Sequence, residues 1–110
     1  MAKNVNKLLN SQNLTPFQEK VLLTACRIPP GQVKSYKWIA KEVGSPKSFR
    51  AVGQALKNNP FPILIPCHRV IKSDYSLGGF ALGQRKKKGL LLKEGLTVAR
   101  GVVIMNKRKE

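Results

Sequence analysis

The sequence predicts a mainly α fold, a small helical domain that holds a helix-turn-helix DNA-binding motif and a short extended or β segment around one cysteine. Three observations lead there. The first half of the chain shows helix-start signals followed by apolar residues at three- and four-residue spacing. A glycine turn with immediate restart separates two of those runs. An apolar, proline-punctuated stretch at residues 60–71 surrounds Pro66-Cys67-His68-Arg69. At 110 residues the chain is long enough for one core and too short for two.

Residues 1–14 read as a polar lead-in. Thr15 is placed to cap a helix, with Pro16 at its first position and Gln18 completing a capping box. Phe17, Val21, Leu22, Ala25 and Ile28 share one face of that helix, and Cys26, beside the face, reads as packing rather than chemistry. Pro29-Pro30-Gly31 ends it in a turn. Ser35 caps a second helix with Tyr36, Ile39, Ala40 and Val43 on one side and Gly44 as its stop. Ser45-Pro46 is expected to restart a helix at once and carry it to about Asn58. Its inward face is then Phe49, Val52, Ala55 and Leu56, and its outward face Lys47, Arg50, Ala51, Gln54 and Lys57.

Asn58-Asn59-Pro60 ends this helix, because a residue before proline disfavours the helical region. The stretch from Pro60 to Ile71 is expected to be a buried, largely extended crossing. Ser73 to Gly83 is a glycine-bearing loop, and Arg85-Lys86-Lys87-Lys88 opens a last helix that carries Leu90, Leu91 and Leu92 and closes at Gly95. Val98 to Met105 reads as a short strand or an extended tail, followed by a solvated Lys107-Arg108-Lys109. The domain proper is therefore 15–95, with 96–110 as its C-terminal extension and basic tail.

Charge narrows the partner. Against 5 Asp and Glu stand 21 Lys and Arg, a formal net charge of +16. Such an excess repels itself in a compact state and points to a polyanion. No segment approaches the roughly 18 unbroken apolar residues of a membrane-spanning helix, and residues 1–13 lack the apolar stretch of a signal peptide. Intracellular nucleic acid, in cytoplasm or nucleoid or in a nucleus, is the expected target, without a membrane role. With two cysteines and one histidine the chain has too few ligands for a structural zinc site, and no metal is expected. The cationic face of the second helix in a helix-turn-helix reads as a DNA-reading surface.

The chemistry concentrates at Cys67. Only a thiolate is a strong nucleophile, and a paired imidazole or neighbouring cations are what produce one. Cys67 sits between a rigid proline and the single histidine of the chain, with an arginine one residue further on.

The run from Thr15 to Gly95 resembles the C-terminal, active-site domain of the O6-alkylguanine-DNA alkyltransferases. The resemblance rests on Ser35-Tyr36, then Arg50-Ala51-Val52-Gly53, then Asn59-Pro60 and Pro62-Ile63-Leu64-Ile65-Pro66-Cys67-His68-Arg69-Val70-Ile71, and last Leu90-Leu91 with Glu94-Gly95. It covers about three quarters of the chain. With fourteen residues ahead of Thr15, it does not extend to the N-terminal domain frequent in that family.

The resemblance implies roles by position. Cys67 accepts the alkyl group. His68 acts through a water as the base, oriented by Glu94, and Asn59 is a hinge that ties backbone turns around the site. Tyr36 donates a hydrogen bond to a flipped guanine and crowds the adjacent phosphate. Arg50 fills the vacated stack, within a recognition helix laid in the minor groove of double-stranded DNA, where Ala51, Lys47, Gln54 and Ser73 join the contacts. Pro62, Val70, Phe80, Ala81 and Leu82 shape the guanine pocket. The implied protein is a monomer that needs no cofactor and is consumed by one reaction on O6-alkylguanine.

Each residue also has a plainer reading: Tyr36 as a core tyrosine, Asn59 as a turn former, Glu94 as a helix-end surface charge. Four positions depart from the family pattern. Phe80 and Ala81 stand where many relatives carry Tyr and Ser, Leu82 where a small glycine is common, and Gly89 where tryptophan is frequent; they bear on substrate range. Two other functions stay open. One is an alkyltransferase-like sensor that marks the lesion without removing it, a class that commonly replaces the cysteine with tryptophan. The other is a basic helix-turn-helix regulator, which leaves Cys67, His68 and Glu94 unexplained.

Overall fold

The computed structural model describes Leu9 and residues 12–104, so most of the lead-in and the basic tail lie outside the described residues. The elements follow the sequence signals closely at first. Helix α1 spans Pro16–Ala25 and begins in a complete capping box. The Thr15 hydroxyl accepts the Gln18 N–H at 3.1 Å and Gln18 Oε1 accepts the Thr15 N–H at 2.9 Å, which satisfies two otherwise orphan donors. Gly31, at φ +85°, turns the chain into strand β1, Lys34–Ser35. Helix α2, Tyr36–Glu42, starts where the Ser35 hydroxyl accepts the Trp38 N–H and stops at Gly44, whose φ of +82° is the left-handed conformation a side chain resists.

Helix α3 spans Phe49–Lys57. It begins later than the sequence suggests: residues 45–48 form a turn, closed by the Ser45 N–H to the Ala40 carbonyl and the Ser48 N–H to the Ser45 carbonyl. The buried face is Val52, Ala55 and Leu56, but Phe49 is 38% exposed rather than inward. One turn N-terminal of Val52 the helix has run past the surface it packs on, so periodicity no longer implies burial there.

The expected extended crossing at 60–71 is mostly a folded loop. Pro62 and Ile65 form an isolated bridge around a turn in which Ile63 takes φ +81°, and Ile63 and Leu64 are half exposed. A 3₁₀ turn, Cys67–Arg69, leads into strand β2, Val70–Ile71, the one part of this stretch that is extended and paired. Strand β2 runs parallel to β1, with Lys34 opposite Val70 and Ser35 opposite Ile71. That small pair pins the start of α2, and so Tyr36, beside the exit of the Cys67 turn.

Helix α4 spans Gln84–Lys93. The following segment is neither a single strand nor a tail but a hairpin, β3 Thr97–Ala99 with β4 Val102–Ile104, turned through Arg100 and Gly101 in left-handed conformations; Met105 lies outside the described residues. The core has two parts. The larger joins α1, α2 and α3 to Ile65, Cys67, Val70 and Phe80, and the smaller joins Ile71, Leu77, Leu91, Val98 and Val103. Cys67 belongs to the larger part, and His68, next in sequence, is buried as well. No helix among the described residues is long and apolar enough to cross a membrane.

Candidate active site

The loop before the cysteine is folded around one side chain. Asn59, 5% exposed at the end of α3, donates through Nδ2 to the Ile65 carbonyl at 3.0 Å and to Cys67 Sγ at 3.2 Å. Its Oδ1 accepts the Phe61 N–H at 2.8 Å. A side-chain amide offers two donors and one acceptor, and all are spent holding residues 61–67 as a unit. Proline at 60, 62 and 66 removes competing backbone conformations of that unit. Cys67 is 3% exposed. Burial pushes its thiol up, while the Asn59 hydrogen bond and the charge of Lys87 pull it back only in part.

His68, the next residue, is 2% exposed and points its Nε2 at Glu94 Oε2, 2.8 Å away. Phe80 covers it edge-on, ring centroids 6.2 Å apart. Burial lowers the imidazole's pKa and outweighs the opposing pull of Glu94, so the ring rests neutral. With Nε2–H given to the carboxylate, Nδ1 is left as a base, buried and without a hydrogen-bond partner among the described residues.

Glu94 is the C-cap of α4 and serves three groups. Besides His68, it receives Arg69 Nε at 3.0 and 3.1 Å and Nη2 at 2.8 Å, and the Gly31 N–H at 3.3 Å. Arg69 Nη1 continues to the Ile28 carbonyl at 2.8 Å, tying the end of α1 into the same network. Burial alone raises this carboxyl, but the hydrogen bonds from Arg69, His68 and Gly31 prevail and hold it down at about 2. Glu94 is therefore an anion fixed in place, the partner that sets the tautomer and orientation of His68. Its reading as a free surface charge does not stand.

Lys87 is the residue the sequence reasoning missed. It is fully buried, and its Nζ donates to the carbonyls of Val70 at 2.7 Å, Leu77, and Gly79 at 3.0 Å. Tyr36 Oη lies 3.5 Å away. Burial lowers its pKa to about 8, with the Cys67 charge acting in the opposite direction. One ammonium thus laces strand β2 to the loop over the site and supplies positive charge toward the thiol. The signal was present in the sequence: position 87 lies one helical turn before Leu91, on the buried face, hidden within a run of lysines that reads as solvated.

Tyr36 caps the other side. Its hydroxyl donates to the Gly79 carbonyl at 3.4 Å, and burial together with the nearby thiolate pushes its pKa up to about 12. It packs so tightly on Gly78 that a Cβ there would lie 2.6 Å from the hydroxyl. From Tyr36 outward runs an open cleft of about 840 Å³ lined by Lys37, Phe49, Arg50, Gly53, Lys57, Lys72, Ser73, Asp74, Gly78, Gly79 and Gln84.

The structure gathers Cys67, His68, Glu94, Asn59 and Tyr36 as the sequence expects, and puts Arg50 and Ser73 on the cleft. Ala51 and Gln54 are exposed on α3, and Lys47 on the turn before it. The pocket candidates scatter more. Val70 is fully buried, Pro62 half-buried in its loop, and Phe80 is packed on His68, while Ala81 and Leu82 are exposed and outside the cleft. Among the described residues, no group of three or more His, Cys, Asp or Glu side chains converges to hold a metal.

A helix-turn-helix scaffold built around a buried cysteine, imidazole and carboxylate is the class that fold and site define. The chain belongs to the 6-O-methylguanine DNA methyltransferase family, whose DNA binding domain matches residues 16–96. It is 52% identical over 82 residues to the constitutive methylated-DNA–protein-cysteine methyltransferase of Bacillus subtilis, covering 74% of this chain and 50% of that one. The rat methylated-DNA–protein-cysteine methyltransferase is 51% identical over 67 residues, 60% of this chain and 32% of its own. Mycobacterium tuberculosis OGT in complex with DNA superposes with a TM-score of 0.73 at 41% identity, over 74% of this chain and 51% of that one. S. pombe Atl1 in complex with damaged DNA containing O6-carboxymethylguanine also gives 0.73, at 34% identity, over 86% of this chain and 93% of that one. The chain spans about half the length of the curated methyltransferases it matches.

Proposed function

We propose that this protein repairs O6-alkylguanine in double-stranded DNA by moving the alkyl group onto Cys67, irreversibly and once per molecule. The observation that carries this reading is the arrangement of Asn59 Nδ2 on Cys67 Sγ at 3.2 Å beside a His68–Glu94 pair at 2.8 Å. A buried thiol with a raised pKa needs a base, and a neutral imidazole with one free nitrogen is such a base. Taking the thiol proton, through a water, puts an imidazolium beside the Glu94 anion, which stabilises it.

The steps then balance. The sulfur lone pair forms the S–C bond as the C–O6 bond breaks, and that bond's electrons stay on guanine, spread over its aromatic ring. Tyr36 hydrogen-bonds the ring as this charge develops, and the base takes up a proton on release. The leaving group is activated by its own ring, so no cofactor is required. The thioether left on Cys67 is stable, and among the described residues no second group stands ready to cleave it, which makes the reaction stoichiometric.

The target carbon is unreachable in a stacked duplex, so the nucleotide must rotate out, at a cost of about a few kcal/mol. The exposed α3 face with Arg50, Ala51 and Gln54, together with Lys47, is the surface proposed for the minor groove, with Arg50 entering the stack. The pocket for the flipped base is assigned to Pro62, Val70, Phe80, Ala81 and Leu82 around the cysteine, the last two through the loop that Lys87 anchors. The functional unit is residues 15–95 with the hairpin as its extension, acting as a monomer where the cell keeps its DNA.

The alternative, recognition of the lesion without transfer, is not favoured, since Cys67 supplies the acceptor that such a sensor replaces. Loss of O6-methylguanine from a duplex oligonucleotide separates the two. Wild type removes it and Cys67→Ala binds without removing it under the repair reading. Selective binding without removal by wild type supports the sensor, and no lesion preference at all leaves a basic DNA-binding domain.

A further inference from the structure

The sequence places Phe49 inward, yet its ring is the residue of α3 most at odds with a solvated face. It is 38% exposed at the first position of the helix, immediately before Arg50, and lines the same 840 Å³ cleft as Arg50 and Tyr36. An isolated exposed aromatic needs no special account. This one is not isolated. Lys37 reaches over it, Nζ 5.6 Å from the ring centroid, and Lys57 and Lys72 line the same cleft. Cations that suit phosphates, interleaved with flat groups that suit bases, are the composition of a surface that holds a strand while stacking on it. Phenylalanine is also among the wedges that proteins insert between base steps from the minor groove.

We propose that Phe49 is a second stacking group, which packs against the base step beside the one Arg50 enters and holds the duplex open there. Successive residues on a helix diverge by about 100°, so the two side chains do not compete for one gap. Arg50 replaces the rotated nucleotide, and Phe49 bears on its neighbour. On the free protein, Lys37 covers the ring by a cation–π contact; on DNA, Lys37 turns to the phosphate next to that step and the ring turns to the base. The substrate class this adds is duplex DNA read at the step flanking the lesion, so adduct repair depends on how easily that flanking step unstacks, with flexible pyrimidine–purine steps favoured. The inference rests on the proposed function.

Its test uses two substrates and two variants. Alkyl transfer is timed from a duplex carrying O6-methylguanine and from free O6-benzylguanine, which needs no unstacking. The ratio of duplex to free-base rate is expected to fall about tenfold in Phe49→Ala, within the range found for losing one base–aromatic stack, and to be restored in Phe49→Trp. In parallel, a duplex with 2-aminopurine beside the lesion brightens on binding Cys67→Ala and brightens much less on binding Cys67→Ala/Phe49→Ala. An unchanged ratio, or equal slowing on both substrates, overturns the stacking role. If wild type transfers from neither substrate, the repair reading fails instead, while the 2-aminopurine signal still reports on Phe49.

Discussion

Replacing Glu94 with glutamine removes a charge and keeps the shape, so it isolates what that anion does. The wild-type carboxyl moves from an ordinary 4.5 to about 2 on folding. At 1.36 kcal/mol per pKa unit, this corresponds to about 3 kcal/mol of stability at neutral pH. The side chain is 15% exposed, so solvent screening trims the figure to about 2–3 kcal/mol. The sign is definite. Because the folded pKa is depressed, the contribution is complete above 4.5 and disappears as pH falls from 4.5 toward 2. Glu94→Gln also leaves the Arg69 guanidinium, 14% exposed, without its counter-ion, which adds to the loss at neutral pH. Urea unfolding of both proteins from pH 7 down to pH 2 is the assay. The expected gap is about 3 kcal/mol at pH 7, shrinking steadily below pH 4.5. A gap under 1 kcal/mol at pH 7, or one that does not change with pH, refutes the view that Glu94 is a fixed anion at the centre of this network.

Lys87→Met removes one ammonium from three backbone carbonyls and is expected to cost about 1–3 kcal/mol of stability. It also takes positive charge from the thiol, so thiolate absorbance at Cys67, followed against pH with Cys26→Ser as background, should rise at higher pH than in the parent. Asn59→Ala removes the hydrogen bond to Sγ and should move that titration the same way; a downward or absent shift in both contradicts the assigned origin of the thiol's pKa. Gly78→Ala puts a Cβ 2.6 Å from the Tyr36 hydroxyl at a φ of +72°. It should displace the phenol, cost about 1–3 kcal/mol, and slow alkyl transfer more than it weakens binding to undamaged duplex.

Local chemistry was legible in the sequence where a side chain acts on backbone within a few residues. Thr15 with Gln18, Ser35 and Gly44 each do what their types predict, because a cap or a left-handed stop is decided within one turn. Phe49 and the start of α3 were misplaced since an apolar period gives a direction but not the extent of the surface that fills it. The loop at 60–67 looked extended because three prolines suit extended backbone, while its actual shape depends on Asn59 reaching across six and eight residues to Ile65 and Cys67. The Cys67-His68 pair stood out in the local sequence, whereas Glu94, Asn59 and Tyr36 were marked only by the family resemblance, for no local rule brings residues 36, 67 and 94 together. The β1–β2 pair and the Glu94–Arg69 clasp do that. Lys87 escaped because three neighbouring cations disguised a buried one, and only the position of Leu91 one turn later marks it.

The most direct test of the central claim is the fate of Cys67. After incubation with a molar excess of duplex carrying O6-methylguanine, the peptide containing Cys67 is sequenced by tandem mass spectrometry and repaired lesions are counted. The account predicts a single methyl group on the Cys67 sulfur and a plateau at one repaired lesion per protein molecule. An unmodified Cys67, a methyl group on Cys26, or repair that continues beyond one lesion per molecule contradicts it.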